Sequence, residues 1–373
     1  MDNNQKVFFE LLRAGLWEKD VRLSPNKDID FSEVYRIAEE QSVIGLVAAG
    51  LEHISDVKVP QQIALQFAGQ TIQLEQRNKA MNSFIAKLIS RLREEDIYTL
   101  LVKGQGIAQC YERPLWRACG DVDLFLSLDN YRKAQKTLIP IASDIEKENP
   151  DNLHQAMTID GWCVEIHGTL RSQLGKCIDH VIDEVQEDVF FGGNVRSWDN
   201  NGVQVFLPSA NNDTIFIFTH ILQHYFGGGI GLRQICDWCR LLWTYKDSLN
   251  HELMESRIRK AGMMKQWKSF AALAVDTLGM PADAMLLYSS EKKWGKKADK
   301  ILRLIMESGN FGHGRDKSYK QKYPNLIEYL ISFWVYSKYN ILQFQIFPLD
   351  AVRGWNRILK LGVKAKLKGI GRI

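Results

Sequence analysis

Residues 98–127 read YTLLVKGQGIAQCYERPLWRACGDVDLFLS, and the rest of the 373-residue chain is read outward from them. An apolar run, Thr99-Leu100-Leu101-Val102, ends in Lys103-Gly104. A short helix-like segment follows, then Arg117, then Gly120-Asp121-Val122-Asp123 leading into Leu124-Phe125-Leu126. Alternate residues of a strand point to the same face, so Asp121 and Asp123 stand side by side. Two adjacent carboxylates repel unless a cation lies between them. Ligation by oxygen alone suits Mg²⁺ (or Mn²⁺), which keeps waters or takes substrate phosphate as its remaining ligands. A later strand-like run, Trp162-Cys163-Val164-Glu165-Ile166-His167, puts Glu165 and His167 on one face as well. If that strand lies beside the Asp121 strand, three carboxylates converge. Asp121 and Asp123 then hold metal, and Glu165 binds a second metal or takes the proton of an attacking hydroxyl.

Lys103 and Arg117 are cations close in sequence to these acids. They suit a triphosphate, or else balance the charge of the acids themselves. Backbone amides around Gly104, at the start of the following helix, could add an anion site. His167 shares the face of Glu165, where it orients substrate or serves as a structural histidine.

The order of strand, glycine turn, helix, Asp-x-Asp strand and later third acid resembles the DNA-polymerase-β-like nucleotidyltransferases. Within that superfamily it looks most like the bacterial group labelled an uncharacterised nucleotidyltransferase family. The residues carrying the likeness are Val102-Lys103-Gly104, Arg117, Gly120-Asp121-Val122-Asp123 and Val164-Glu165-Ile166-His167, and it extends over about residues 31–280. Where the superfamily turn has Gly-Ser or Gly-Gly, this chain has Lys103-Gly104-Gln105-Gly106.

The resemblance implies an α+β fold: a small mixed nucleotidyltransferase sheet with flanking helices, plus N-terminal and C-terminal helical units. It implies Asp121, Asp123 and Glu165 as catalytic residues and metal ligands, Mg²⁺ (or Mn²⁺) as cofactor, and Lys103, Gly104, Arg117 and His167 at the nucleotide. The implied reaction moves an NMP from an NTP, such as ATP, to a hydroxyl of a small-molecule or protein acceptor, with release of pyrophosphate. A His-x3-His helix followed by an Arg and an Asp on the next helix also matches the family, here His220, His224, Arg233 and Asp237. Bacterial origin is part of the same implication.

The chain's length calls for more than one typical domain. With 45% hydrophobic and 25% charged residues it has the composition of an ordinary soluble globular protein, and its net charge of +4 does not by itself argue for nucleic acid. The start, MDNNQKVFF, lacks the pattern of a signal peptide, and the most apolar late stretch, residues 326–347, is interrupted by Glu328, Lys338 and Gln343. A cytoplasmic protein is expected, with six cysteines lacking a framework spacing and kept reduced.

Taken in order, residues 1–96 are expected to form a helical unit, with a helix over 3–14 and a turn at Pro25-Asn26-Lys27. Asp30 reads as an N-cap, in a capping-box-like pair with Glu33. One helix over 34–51 should carry Ile37, Val43, Leu46 and Val47. After a break at Pro60 a long helix over 61–94 should bury a stripe of Leu65, Phe67, Ile72, Leu74, Met81, Phe84, Leu88 and Leu92.

Residues 97–207 read as the α/β core. Strands are placed near 97–102, 121–127, 154–159, 162–167, 193–198 and 203–207, and helices near 104–112, 129–140 and 177–189. Asp160-Gly161 signals a tight hairpin. Residues 208–310 read as a helical bundle: a helix capped by Ser209, a glycine run over 227–231, then helices near 232–245, 250–262, 265–279 and 290–307. Residues 311–373 read as a helical extension: a loop at 311–314, an aromatic helix over 325–342, a break at Phe347-Pro348, and an end rich in Lys and Arg.

His220 and His224 share a helix face and could ligate zinc, contact the cleft or sit in the core. Cys236-x2-Cys239 lacks the second pair of a zinc site. His154 has an undetermined relation to Glu165. The basic end could be a solvated helix face, or could contact an anionic membrane or another polyanion. The charge balance and the lack of a recognisable RNA module argue against a polynucleotide acceptor. The alternative to an enzyme is a non-catalytic nucleotide-binding or scaffold protein on the same fold. The sequence names neither the base, nor the acceptor, nor the oligomeric state.

Overall fold

In a computed structural model of the protein, the described residues are 1–26, 28–227, 229–309, 331, 334, 337 and 339–355. Four helices come first: α1 (Asn3–Trp17), α2 (Phe31–Glu40), α3 (Ile44–Glu52) and α4 (Gln61–Glu94). The sheet region follows as β1 (Leu100–Val102), α5 (Gly104–Ala108), β2 (Asp121–Phe125), α6 (Leu128–Leu138), β3 (Asp144–Ile145), β4 (His154–Ile159), β5 (Trp162–His167), α7 (Lys176–Phe190), β6 (Val195–Asn200) and β7 (Val203–Pro208). The chain then returns to helix in α8 (Ala210–Phe226), α9 (Leu232–Thr244), α10 (His251–Lys260), α11 (Met264–Ala272) and α12 (Lys292–Ser308).

The strands form one seven-stranded mixed sheet, ordered β3-β4-β5-β2-β1-β7-β6. β2 runs parallel to β5 and β1 parallel to β7, while β1 is antiparallel to β2. The other pairings are antiparallel: β3 with β4, and the hairpins β4–β5 and β6–β7. The β4–β5 hairpin turns on Asp160 and Gly161, both with positive φ (50° and 79°), as the Asp-Gly signal requires.

Each face of the sheet packs on its own set of helices. Leu101, Val122, Leu124, Val164, Ile166, Val205 and Leu207 point to one side. There they meet Met81, Phe84, Ile85, Leu88 and Leu92 of α4, and Tyr131 of α6. The opposite side presents Val102 and Phe125 to the larger core, which is built from α1–α3 and α7–α12. Alternation within β2 therefore sends Val122 and Leu124 to the α4 side, and leaves Asp121 and Asp123 facing the C-terminal helices.

The first helices dock on the last ones. The Trp17 indole Nε1 donates to Leu278 O at 2.6 Å, Arg240 Nη1 donates to Leu16 O at 3.2 Å, and the Leu232 amide donates to Gln41 Oε1 at 3.0 Å.

Several elements depart from expectation. The single helix over 34–51 is two helices: Ser42, at φ 57°, turns the chain between α2 and α3. Asp30 caps α2 by accepting from the Ser32 and Glu33 amides, but its own amide donates to Asn4 and Glu33 pairs with Arg36. The box is therefore one-sided. On α4, Leu65 and Ile72 are exposed, because only the C-terminal half of that helix crosses the sheet. Helix α11 ends early in a π-helical turn, Leu273–Thr277. Strand β3 is an unanticipated two-residue edge.

The helical stretches over 341–344 and 348–355 are separated at 345–347, where the Phe347-Pro348 break was expected. The loop at 311–314, most of the helix expected over 325–342, and the basic end beyond residue 355 lie outside the described residues. No helix among the described residues is long and apolar enough to cross a membrane.

Candidate active site

Parallel pairing of β2 with β5 sets Asp123 directly opposite Glu165, with Asp121 opposite Cys163 and Phe125 opposite His167. Their apolar neighbours Val122, Leu124, Val164 and Ile166 are all buried toward α4, which commits the polar residues to the other face. Antiparallel pairing of β4 adds His154 to that face, opposite His167. The end of β1 reaches the same place, because Val102 pairs with Asp123 and the chain leaves the strand at Lys103.

Lys103 has φ 58° and ψ −146°, a region that non-glycine residues rarely occupy and that costs on the order of 1–3 kcal/mol. That backbone turns its side chain over β2, where Nζ lies 2.7 Å from Asp123 Oδ1. Gly104 follows at φ 40°, and a Cβ there would come within 3.1 Å of Cys119 Sγ. The helix it opens, α5, has only five residues.

The electrostatics follow from this crowding. Burial acts to raise the Asp123 pKa, but the Lys103 ammonium and a hydrogen bond from His167 Nε2 (2.9 Å) prevail and hold it well below the usual carboxylate range. Asp121 is pushed up, first by the charge of Asp123 and then by burial. For Lys103 burial opposes the charge, yet Asp123 and Glu165 raise its pKa. His167 is lowered by burial, against the opposing hydrogen bond to Asp123. His154 is raised by its hydrogen bond to Glu165, Nε2 to Oε2 at 3.2 Å.

Helices α8 and α9 form the facing wall of an open cleft lined by Lys103, Gly104, Arg117, Asp121, Asp123, His220, Arg233 and Asp237 among others. His220 and His224 share a hydrogen bond between their Nε2 atoms at 3.1 Å, in which one ring must donate and the other accept. Burial lowers both, His220 well below its ordinary value and His224 to about 4, so the pair is neutral near pH 7. Arg233 donates from Nη1 to Ala118 O at 2.9 Å; burial and then Arg117 lower its pKa.

The expected residues are thus placed as follows. Asp121, Asp123, Glu165, Lys103 and His167 share one face of the sheet, and Gly104 lies at its edge. Arg117 reaches the cleft, but its guanidinium is engaged elsewhere. Nε and Nη2 donate to the two Asp237 oxygens at 3.0 and 2.6 Å, and Nη1 donates to Ala118 O. It balances an acid of α9 rather than Asp121 or Asp123. Tyr111 OH donates to the same Asp237 at 2.8 Å, a partner the sequence did not announce.

Cys163 also stands on the carboxylate face, its thiol pushed up to about 11 by burial and then by Glu165. Cys236 and Cys239 are buried in the core on α9, away from the cleft lining. The glycine run is the loop between α8 and α9, with Gly228 outside the described residues. Asp121, Asp123 and Glu165 share one face of the sheet with the Lys103 ammonium against Asp123, but among the described residues the set whose ligand atoms all lie within 4.8 Å of one another is His154, Glu165 and His167.

A family model described as "Uncharacterised nucleotidyltransferase" matches residues 27–279. No curated protein matches the chain. Among solved structures, the crystal structure of an antigenic nucleotidyltransferase-like protein from Paracoccidioides brasiliensis is similar with a TM-score of 0.32 and 14% identity, over 53% of this chain and 92% of that one.

Proposed function

The chain belongs to the uncharacterised nucleotidyltransferase family, and from that premise we propose that it transfers an NMP from an NTP to a hydroxyl of a small-molecule or protein acceptor, releasing pyrophosphate. The observation that carries the reading is the meeting of Asp121, Asp123 and Glu165 on one sheet face, with Lys103 against Asp123 and Arg233 on the facing wall.

In the proposed reaction the acceptor oxygen attacks the α-phosphorus. The bond from that phosphorus to the bridging oxygen breaks, and pyrophosphate leaves with the electron pair. Glu165, next to Asp123 across the strands, takes the hydroxyl proton. Lys103 and Arg233 neutralise charge that builds on the phosphates. Arg117 holds α9, and with it Arg233, against the start of β2 through Asp237. Mg²⁺ or Mn²⁺ held by Asp121 and Asp123 supplies further charge stabilisation when bound.

The test is calorimetric titration of NTPs with and without Mg²⁺, on the wild type and on Asp121→Asn/Asp123→Asn. Metal-dependent binding lost in the variant is the expected result. Failure of the folded wild type to bind any NTP would replace this reading with the non-catalytic scaffold. Glu165→Gln should then lower transfer by about 10²–10⁴-fold while retaining nucleotide affinity. Undiminished turnover would remove Glu165 from the mechanism.

A further inference from the structure

Two imidazoles stand beside the carboxylates, and the proposed transfer gives them no part. We propose that His154, Glu165 and His167 form a nitrogen-containing site for a first-row transition-metal dication, next to the oxygen-only pair Asp121 and Asp123. The inference rests on the proposed function only in placing this cation beside a phosphate-binding site.

The topology supplies the three ligands from two paired strands. His154 lies directly across from His167 in the antiparallel β4–β5 ladder, and Glu165 precedes His167 by two residues on the same face. Neighbouring side chains on one face of such a ladder have Cβ atoms about 4.5–5.5 Å apart, within reach of a shared ion. No loop has to be ordered to assemble the set.

The distances fit a coordination shell. Metal bonds to His nitrogen and carboxylate oxygen run about 2.0–2.2 Å, so adjacent ligand atoms in a tetrahedral or octahedral shell are about 3.0–3.5 Å apart. Both rings direct Nε2 at the same carboxylate oxygen: His154 Nε2 is 3.2 Å and His167 Nε2 is 3.6 Å from Glu165 Oε2. One ligand atom from each of the three residues lies within 4.8 Å of the other two. The His154, Glu165 and His167 side chains are 30%, 25% and 14% exposed, which leaves room for water or substrate oxygen at the remaining positions.

The chemistry of the ligands selects the ion. Mg²⁺ prefers oxygen, whereas two imidazoles and a carboxylate favour Mn²⁺, Fe²⁺, Co²⁺ or Zn²⁺. A neutral imidazole can carry its proton on Nδ1 and offer the Nε2 lone pair. The present Nε2 bonds, His154 to Glu165 and His167 to Asp123, are ones a cation can replace. A hydrogen-bond network without metal is the competing account, and it makes a different spectroscopic prediction.

The deciding experiment is Mn²⁺ and Co²⁺ titration of the wild type, read by pulsed EPR for ¹⁴N coupling and by Co²⁺ visible absorption. Coupling to histidine nitrogen that survives excess Mg²⁺ is expected. It should persist in Asp121→Asn, and His154→Ala should weaken Co²⁺ binding more than tenfold. Absence of nitrogen coupling in the wild type, or unchanged Co²⁺ affinity in His154→Ala, would overturn the site. The wild-type spectrum needs no variant, so misfolding of a mutant cannot mask the result. Nitrogen coupling without any NTP binding would retain the metal site and sink the transferase reading; NTP binding without nitrogen coupling would do the reverse.

Discussion

The Lys103 ammonium lies against Asp123 on one wall of the cleft, and on the facing helix burial keeps the His220–His224 pair neutral. Alternation made two shared faces legible from local sequence, Asp121 with Asp123 on β2 and Glu165 with His167 on β5. The positive φ of Lys103 was not legible, because the turn sequence does not say which way the backbone leaves β1. The histidine pair carries a pH signature. His224 falls to about 4 from an ordinary 6.5 and His220 falls too, through burial first and then Lys103. Asp123 opposes the fall at both, as Glu165 does at His224, whereas Arg233 deepens it at His224.

Groups held neutral in the fold take up protons on unfolding. The stability they allow is therefore fully present above pH 6.5 and is lost as pH falls from 6.5 toward 4. For His224 alone the loss over that window is on the order of 3 kcal/mol. Urea unfolding of wild type and His224→Gln at neutral pH and at about pH 5 checks it. The variant should lose less stability on acidification, and parallel losses would mean that His224 is already charged in the folded protein.

At the scale of elements, periodicity placed most helices and the β4–β5 hairpin. It missed the break at Ser42 and over-extended the buried stripe of α4. Both misses have one cause: amphipathic spacing reports that a face is apolar, not what covers it. The approach of α1 to α3 is likewise invisible in the sequence and is decided by glycine. A Cβ at Gly50 would lie 2.0 Å from Leu11 O, and one at Gly15 would lie 1.8 Å from Leu46 O. Gly69, on the exposed first half of α4, has no atom within 4 Å of its would-be Cβ apart from its own stretch of helix. Gly50→Ala should therefore destabilise by about 1–3 kcal/mol or more, through forced separation of the two helices. Gly69→Ala should stabilise by about 0.5–1 kcal/mol, through helix propensity. Thermal melts of the two variants decide it, and shifts of the same sign would contradict the close packing.

At the scale of the molecule, the buried Arg117–Asp237 pair ties the entry of β2, the strand of Asp121 and Asp123, to α9 across 120 residues of chain. Burial works against the Arg117 charge, but Asp237 outweighs it and keeps the guanidinium protonated. Removing one partner leaves a buried charge uncompensated, so Asp237→Ala should cost about 3–5 kcal/mol. Arg117→Met/Asp237→Leu should recover much of that loss in a double-mutant cycle read by denaturant unfolding. Additive single-variant losses would show that the pair does not act as a unit.

The sequence by itself determined the order of elements around residues 98–127, the shared face of the two aspartates, the Asp160-Gly161 turn and the family. Each rests on short-range backbone geometry or on a run of adjacent residues. Only the tertiary structure decided that Glu165 lies beside Asp123, that His154 faces His167, and that Arg117 pairs with Asp237. Those meetings depend on strand order and on packing between segments far apart in the chain, and side-chain spacing along a single segment carries no record of them.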